Sequence, residues 1–147
     1  MYQRILVATD GSELSSKAVD SAIALAGLLK AELFALKVVQ RYARSYFEGS
    51  VPIDWKELAR IESEWVAAGQ KIIDGVVATG MMCELAVRGL VVQSDLVAET
   101  VIATANKHGC DLIVMASHGR KGVSRLLLGS ETQHVLTHSQ VPVLVLR

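Results

Sequence analysis

The stretch Arg4-Ile5-Leu6-Val7-Ala8-Thr9, broken at once by Asp10-Gly11-Ser12, decides the fold. Ile5 to Ala8 are apolar without alternation, which is how a strand buried on both faces reads. After the Asp-Gly-Ser break, Ala18, Ala22, Leu25, Ala26 and Leu29 recur at helical spacing and predict a helix from about Ser15 to Lys30. Glu32 to Gln40 (ELFALKVVQ) is again strand-like. Strand, helix and strand in this order form the βαβ unit of a parallel sheet.

The same alternation continues to the end of the chain. Arg41 to Asp54 is polar, carries Gly49 and Pro52, and reads as a loop. Leu58, Ile61, Trp65, Ala68, Ile72 and Val76 mark one face of a long amphipathic helix, which Gly80 is expected to close. Cys83 to Val92 is strand-like, with Gly89 marking a bulge or an early end. Ser94 and Asp95 look like a helix start, and Lys107-His108-Gly109 like a cationic last turn with a glycine stop. Asp111 to Ala116 is the fourth strand and Val141 to Leu146 the fifth. Between them, Ser117 to Leu128 is a loop, and a helix begins near Ser130, where Ser130-x-x-Gln133 has the form of a capping box. The predicted fold is α/β: an open five-stranded parallel sheet with helices on both faces, formed as a single domain over residues 1–147.

Bulk composition agrees with a globular domain. Of 147 residues, 51% are apolar and 20% charged, far from the pattern of disorder. Fifteen basic residues balance fifteen acidic ones, so the chain lacks the basic excess of a nucleic-acid binder. The apolar run Ala22 to Leu29 is shorter than the ~20 residues that cross a bilayer, and the start of the chain has no signal-peptide pattern. No membrane association and a cytoplasmic location are the expectation. Cys83 and Cys110 lack CxxC spacing and read as small, semi-buried free thiols.

Ligands of an open parallel sheet bind outside the carboxyl ends of the strands, where the winding reverses. Two loops stand out there: Ala8-Thr9-Asp10-Gly11-Ser12, and Ala116-Ser117-His118-Gly119-Arg120-Lys121-Gly122. From Ser117 to Ser130 there are three cations (Arg120, Lys121 and Arg125) and no acid, a local charge of +3 in a neutral chain. The segment ends at Gly129-Ser130, which opens a helix. Helix N-termini present free N–H groups and attract phosphate. Neither GxxxxGK[ST] nor GxGxxG occurs, so the cradle matches no common phosphate motif.

Ile5-Leu6-Val7-Ala8-Thr9-Asp10-Gly11-Ser12 resembles the opening of universal stress proteins. Asp111 to Gly119, Leu127-Leu128-Gly129-Ser130 and Val141-Pro142-Val143-Leu144-Val145 resemble their closing segment. The ATP-binding members carry Gly-x2-Gly-x9-Gly followed by Ser or Thr. Here the spacing is intact as Ala116-x2-Gly119-x9-Gly129-Ser130, with Ala116 in place of the first glycine. If the backbone there needs positive φ, alanine costs on the order of 1 kcal/mol; if it needs only room, a methyl fits. The resemblance implies a Rossmann-like fold of the adenine nucleotide alpha-hydrolase type. It implies ATP, or ADP or AMP, as ligand, with Mg²⁺ carried by the phosphates. Asp10 would meet the ribose hydroxyls and Ala8 would line the adenine slot. Val38 would hold the base through its backbone, and Met115 and Ala116 would pack beside base and ribose. Gly119, Arg120, Gly129 and Ser130 would surround the phosphates, with Thr9, Ser12, His118 and Glu131 completing the shell.

The same residues have plainer readings. Asp10 caps the following helix in an ordinary Asp-Gly-Ser turn; Ser130 is an N-cap as well as a phosphate donor. His118 has no acid paired with it in sequence, so no catalytic residue is assigned. His134 and His138, four apart, lack a third ligand, so no metal site is assigned. Trp55 and Trp65 read as core or loop-packing residues, and Leu126 to Leu128 as anchors for the loop. The expected function is a nucleotide-binding stress or energy-state regulator that works as a homodimer through Val141–Leu146 and signals to an unknown protein partner. The alternatives are an interaction-only dimer without nucleotide and a very slow ATPase.

Overall fold

The computed structural model describes residues 1–42, 54–120 and 127–147. Most of the expected 41–54 loop, and Lys121, Gly122, Arg125 and Leu126, lie outside the described residues. The strands are β1 (Arg4–Ala8), β2 (Glu32–Val39), β3 (Val87–Gln93), β4 (Leu112–Ala116) and β5 (Val143–Leu146). The helices are α1 (Glu13–Leu29), α2 (Trp55–Met82), α3 (Val97–Lys107) and α4 (Ser130–His138). The sheet order is β3-β2-β1-β4-β5 and every pairing is parallel. The expected α/β architecture is therefore present, and the winding reverses between β1 and β4.

Strand alternation sorts the core into two layers. Ile5, Val7, Leu33, Ala35, Leu112 and Val114 face α1 and α2, packed on Ala18, Ala22, Ile23 and Ile73. Leu6, Phe34, Leu36, Val38, Ile113 and Met115 face α3 and α4, packed on Ala98, Val101 and Val135. Ile5, Leu6, Val7, Ile113 and Val114 are fully buried, which explains why β1 and β4 read as unbroken apolar runs.

Several boundaries differ from the sequence reading. Helix α1 begins at Glu13, because the Ser12 hydroxyl accepts from Ser15 N at 3.2 Å and acts as N-cap. Helix α2 runs through Gly80 to Met82, and β3 starts at Val87 instead of Cys83. The buried stripe of α2 is Leu58, Gly69, Ile73, Val76 and Gly80, which omits the expected Ile61, Trp65, Ala68 and Ile72. Gly80 and Gly89 serve close packing instead of ending elements. A methyl on Gly80 would strike Val87, and one on Gly89 would strike Ile73. Trp55 and Trp65 are exposed, with Trp65 stacked on Tyr42 at 5.7 Å, and Leu127 and Leu128 are also exposed. Neither Ser94 nor Asp95 caps α3, whose N-cap position is Leu96. The expected stop after Lys107 is present, with Gly109 at φ 62°. At the last strand, Val141 and Pro142 precede the ladder, which begins at Val143.

The two cysteines are not alike. Cys83 is exposed at the end of α2, whereas Cys110 is buried. Burial, with Asp111 and Glu32 nearby and Arg4 opposing them, pushes the Cys110 thiol up to about 11. Thiolate is the reactive form. Titration of the native protein with a thiol reagent at pH 8 is therefore expected to modify Cys83 alone, and Cys110 only after unfolding. Equal labelling of both in the native state would contradict this.

Candidate functional site

The loops after β1 and β4 meet at the winding reversal, and Asp10 joins them. Its Oδ1 accepts from Ser12 N at 2.9 Å, and its Oδ2 accepts from Arg120 N at 2.9 Å. The first contact is the plain Asx turn; the second ties the β4 loop to β1. Half-burial alone would raise the Asp10 pKa. The Ser12 hydroxyl and N–H, the Arg120 N–H and the Ser15 hydroxyl outweigh it and hold the carboxyl below its ordinary value. Gly119 lies so close that an added methyl would collide with Asp10 Oδ2. Thr9 is buried and structural: its hydroxyl lies 3.0 Å from Ser15 Oγ and accepts from Gly11 N at 3.2 Å.

Ala116 is strand, paired with Leu146, and no described residue other than Lys30, Glu84, Gly11 and Gly109 has positive φ. Alanine here carries no backbone penalty. By strand alternation, its methyl points to the α1 side while Met115 points to the α3–α4 side. Ala8, Val38 and Met115 share that second layer, in the core cluster on the α3–α4 side.

The capping box expected at Ser130 is not formed. Gly129 is the N-cap, at φ −61° and ψ 149°, without a side-chain cap, and Ser130 is the first helical residue. Thr132 turns its hydroxyl back to Ala116 O at 2.9 Å, and Glu131 reaches across to Ala98 N at 2.8 Å. Glu131 thus supplies the cap that α3 lacks. The N–H groups of Ser130, Glu131 and Thr132 have no acceptor among the described residues. Gly129 N donates to Ser117 O at 2.7 Å. A Cβ on Gly129 would sit 3.2 Å from His118 Cα, so this glycine faces the protein's own β4 loop. His118 Nδ1 is 3.1 Å from Ser117 Oγ.

A cavity of about 550 Å³ opens between the start of α1 and the β4 loop, lined by Ser12, Lys17, Ser117, His118, Gly119 and Arg147 among others. Gly129 and Ser130 are outside its lining. The rings of His134 and His138 lie tilted to one another with centroids 4.2 Å apart, and His134 Nε2 lies 3.4 Å from Glu99 Oε1. Among the described residues, no group of three His, Cys, Asp or Glu side chains is arranged to hold a metal. None of the described helices is long and apolar enough to cross a membrane.

The universal stress protein family model matches residues 1–147. The chain belongs to that family. It is 32% identical to Universal stress protein YxiE of Bacillus subtilis over 150 residues, covering all of both chains. It is 30% identical to Universal stress protein MJ0531 of Methanocaldococcus jannaschii, covering all of this chain and 83% of the relative. The fold is shared with universal stress protein UspA from Lactobacillus plantarum, at TM-score 0.85 and 24% identity over 99% of this chain and 98% of that one. A universal stress protein solved in complex with cAMP matches at TM-score 0.73 and 21% identity, covering 99% and 97% of the two chains. One from Archaeoglobus fulgidus in complex with dAMP matches at 0.67 and 15%, covering 99% and 98%. These members of the fold hold adenine nucleotides.

Proposed function

We propose that this universal stress protein binds an adenine nucleotide, ATP or its di- or monophosphate, and acts as a dimeric regulatory module. The observation that carries the reading is the open first turn of α4. Three adjacent N–H donors stand at a helix N-terminus that follows, in sequence, a segment with three cations, and such an end attracts phosphate. The base would pack against Ala8, Val38 and Met115, the ribose would lie at Asp10, and the phosphates would reach Gly129 and Ser130. Ser12 and His118 would line the approach, and Mg²⁺ would arrive with the phosphates; the Arg120 guanidinium lies instead beside Gly11 and Ile72 of α2. Adenine nucleotide is expected to be released when the purified protein is denatured, or to bind saturably when labelled ATP is titrated with Mg²⁺. No release and no saturable binding up to millimolar ATP would overturn the reading and leave an interaction-only member of the family.

The dimer would form through β5, an edge strand of the sheet. Pro142 O and Leu146 O accept from Ile113 N of β4 and from Ser117 N just after it. In a parallel ladder the alternate residues, Val143 and Val145, therefore turn their N–H and C=O groups outward. An apolar edge of this kind invites pairing with a second copy under two-fold symmetry. Light scattering is expected to give twice the 15.8 kDa of one chain, and Val143→Pro, which removes an outward N–H alone, to give monomer. A monomeric wild type would refute this interface.

A further inference from the structure

Lys37 takes no part in the contacts above, yet it sits at the end of β2 one residue from Val38. Strand alternation places its side chain on the α1–α2 side with Leu33 and Ala35. Its Cγ lies 3.3 Å from where a Cβ on Gly69 of α2 would be. Its ammonium donates to Val38 O at 3.0 Å and has no ion pair among the described residues. Two of its three donors thus have no partner among the described residues. Burial holds its pKa below the usual lysine value; the charge of Asp10 opposes that effect and the charge of Arg120 adds to it.

Arg120 converges on the same place. Its Nη2 lies 3.1 Å from where a Cβ on Gly11 would be, a position that Ile72 of α2 also crowds. Gly69 and Ile72 are three apart on α2 and so adjoin on one helix face. Lys37 and Arg120 therefore flank a single turn of α2. Thr9 N donates to Leu36 O at 3.0 Å, which brings the end of β1 and Asp10 alongside. Two cations there face one carboxylate, and both oxygens of that carboxylate are already engaged by backbone N–H groups. Among the described residues the balance is one unmatched positive charge in a partly desolvated corner, which an anion would relieve.

We propose that Lys37 and Arg120 form a second anion subsite, on the α2 side of the strand ends, that takes a phosphate carried on the ribose ring of the bound nucleotide. The proposal rests on the nucleotide reading, with the ribose at Asp10. The open turn of α4 packs on the other face of the sheet, so one anion cannot serve both places. A nucleotide with a phosphate on the 5′ side and another on the ring would reach both. The ligand class is an adenosine 3′,5′- or 2′,5′-bisphosphate.

Two measurements test it. Acetylation of each lysine by acetic anhydride is followed by peptide mass spectrometry, with and without inorganic phosphate. Phosphate is expected to slow labelling of Lys37 and not of the exposed Lys71; an unprotected Lys37 overturns the subsite whether or not nucleotide binds. Calorimetry then compares AMP with adenosine 3′,5′-bisphosphate. The bisphosphate is expected to bind at least about tenfold more tightly, with that advantage lost in Lys37→Met and kept in Lys37→Arg. Equal affinities, or an advantage that survives Lys37→Met, overturn the proposal. If phosphate protects Lys37 but neither nucleotide binds, the nucleotide reading has failed and the ribose-phosphate assignment falls with it.

Discussion

Ser130→Pro is expected to weaken ATP binding by about 10- to 150-fold while leaving the melting temperature unchanged or slightly raised. The range is the cost of one lost hydrogen bond to a charged group, about 1.5–3 kcal/mol. Ser130 is the first residue of α4, where a helix N–H has no internal partner and proline's fixed φ suits the helix. Gly129 before it is at φ −61° and ψ 149°, the extended conformation that a following proline requires. The substitution therefore removes an outward donor without breaking a bond of the fold. Ser130→Ala separates the contributions, since it keeps the N–H and removes the hydroxyl. This is a cleaner probe than a branched residue at Gly129, whose Cβ would press on His118 at 3.2 Å and disturb the β4 loop itself. Calorimetric titration of both variants, with thermal melts, decides. Wild-type affinity in a folded Ser130→Pro protein would place the phosphates elsewhere.

The second large effect is expected from Asp10→Asn. Asparagine keeps an acceptor for Ser12 N, but its amide group then meets Arg120 N, donor against donor. Losing this link between the two loops should cost about 1–3 kcal/mol. The cost depends on pH in a definite direction. The folded carboxyl is held below its ordinary value, so its stabilisation is complete above the unfolded aspartate pKa of about 3.9 and drains away as pH falls through the lower folded value. Urea denaturation from pH 7 downward should show wild type and Asp10→Asn separated at neutral pH and converging in acid. A gap that persists unchanged into strong acid would mean that the carboxylate charge is not what holds the loops. If Asp10 also meets ribose, the variant weakens adenosine as well as ATP. A loss confined to ATP would put Asp10 near the phosphates.

The strands were legible because β1 and β4 bury both faces, so burial alone writes an apolar run into the sequence. The α2 stripe was misjudged for the opposite reason. Gly69 and Gly80 are buried contacts that carry no side chain, and a pattern search looks for side chains. Asp10 and the Gly119–Gly129 spacing were visible as a turn and a motif, but the bond from Arg120 N to Asp10 spans 110 positions and no local signal announces it. The capping box at Ser130 failed because Gly129 took the cap position, leaving the turn open. The part proposed for Lys37 had no local signal, since a lysine near the end of a strand reads as an edge charge. Strand alternation gives the face it points to, but only the packing of Gly69 and the bond to Val38 O show what it meets there.

The bond from Glu131 to Ala98 makes α3 a bystander with a stake in α4. An exposed helix end is ordinarily the first place to fray, and α3 has no cap of its own. Its resistance to fraying is on loan from a side chain one residue past Ser130. Whatever steadies or tilts the opening turn of α4 therefore changes how often the first amides of α3 open to solvent. In deuterium exchange, the Ala98 amide would serve as a built-in gauge of α4, read on a helix that no ligand needs to touch.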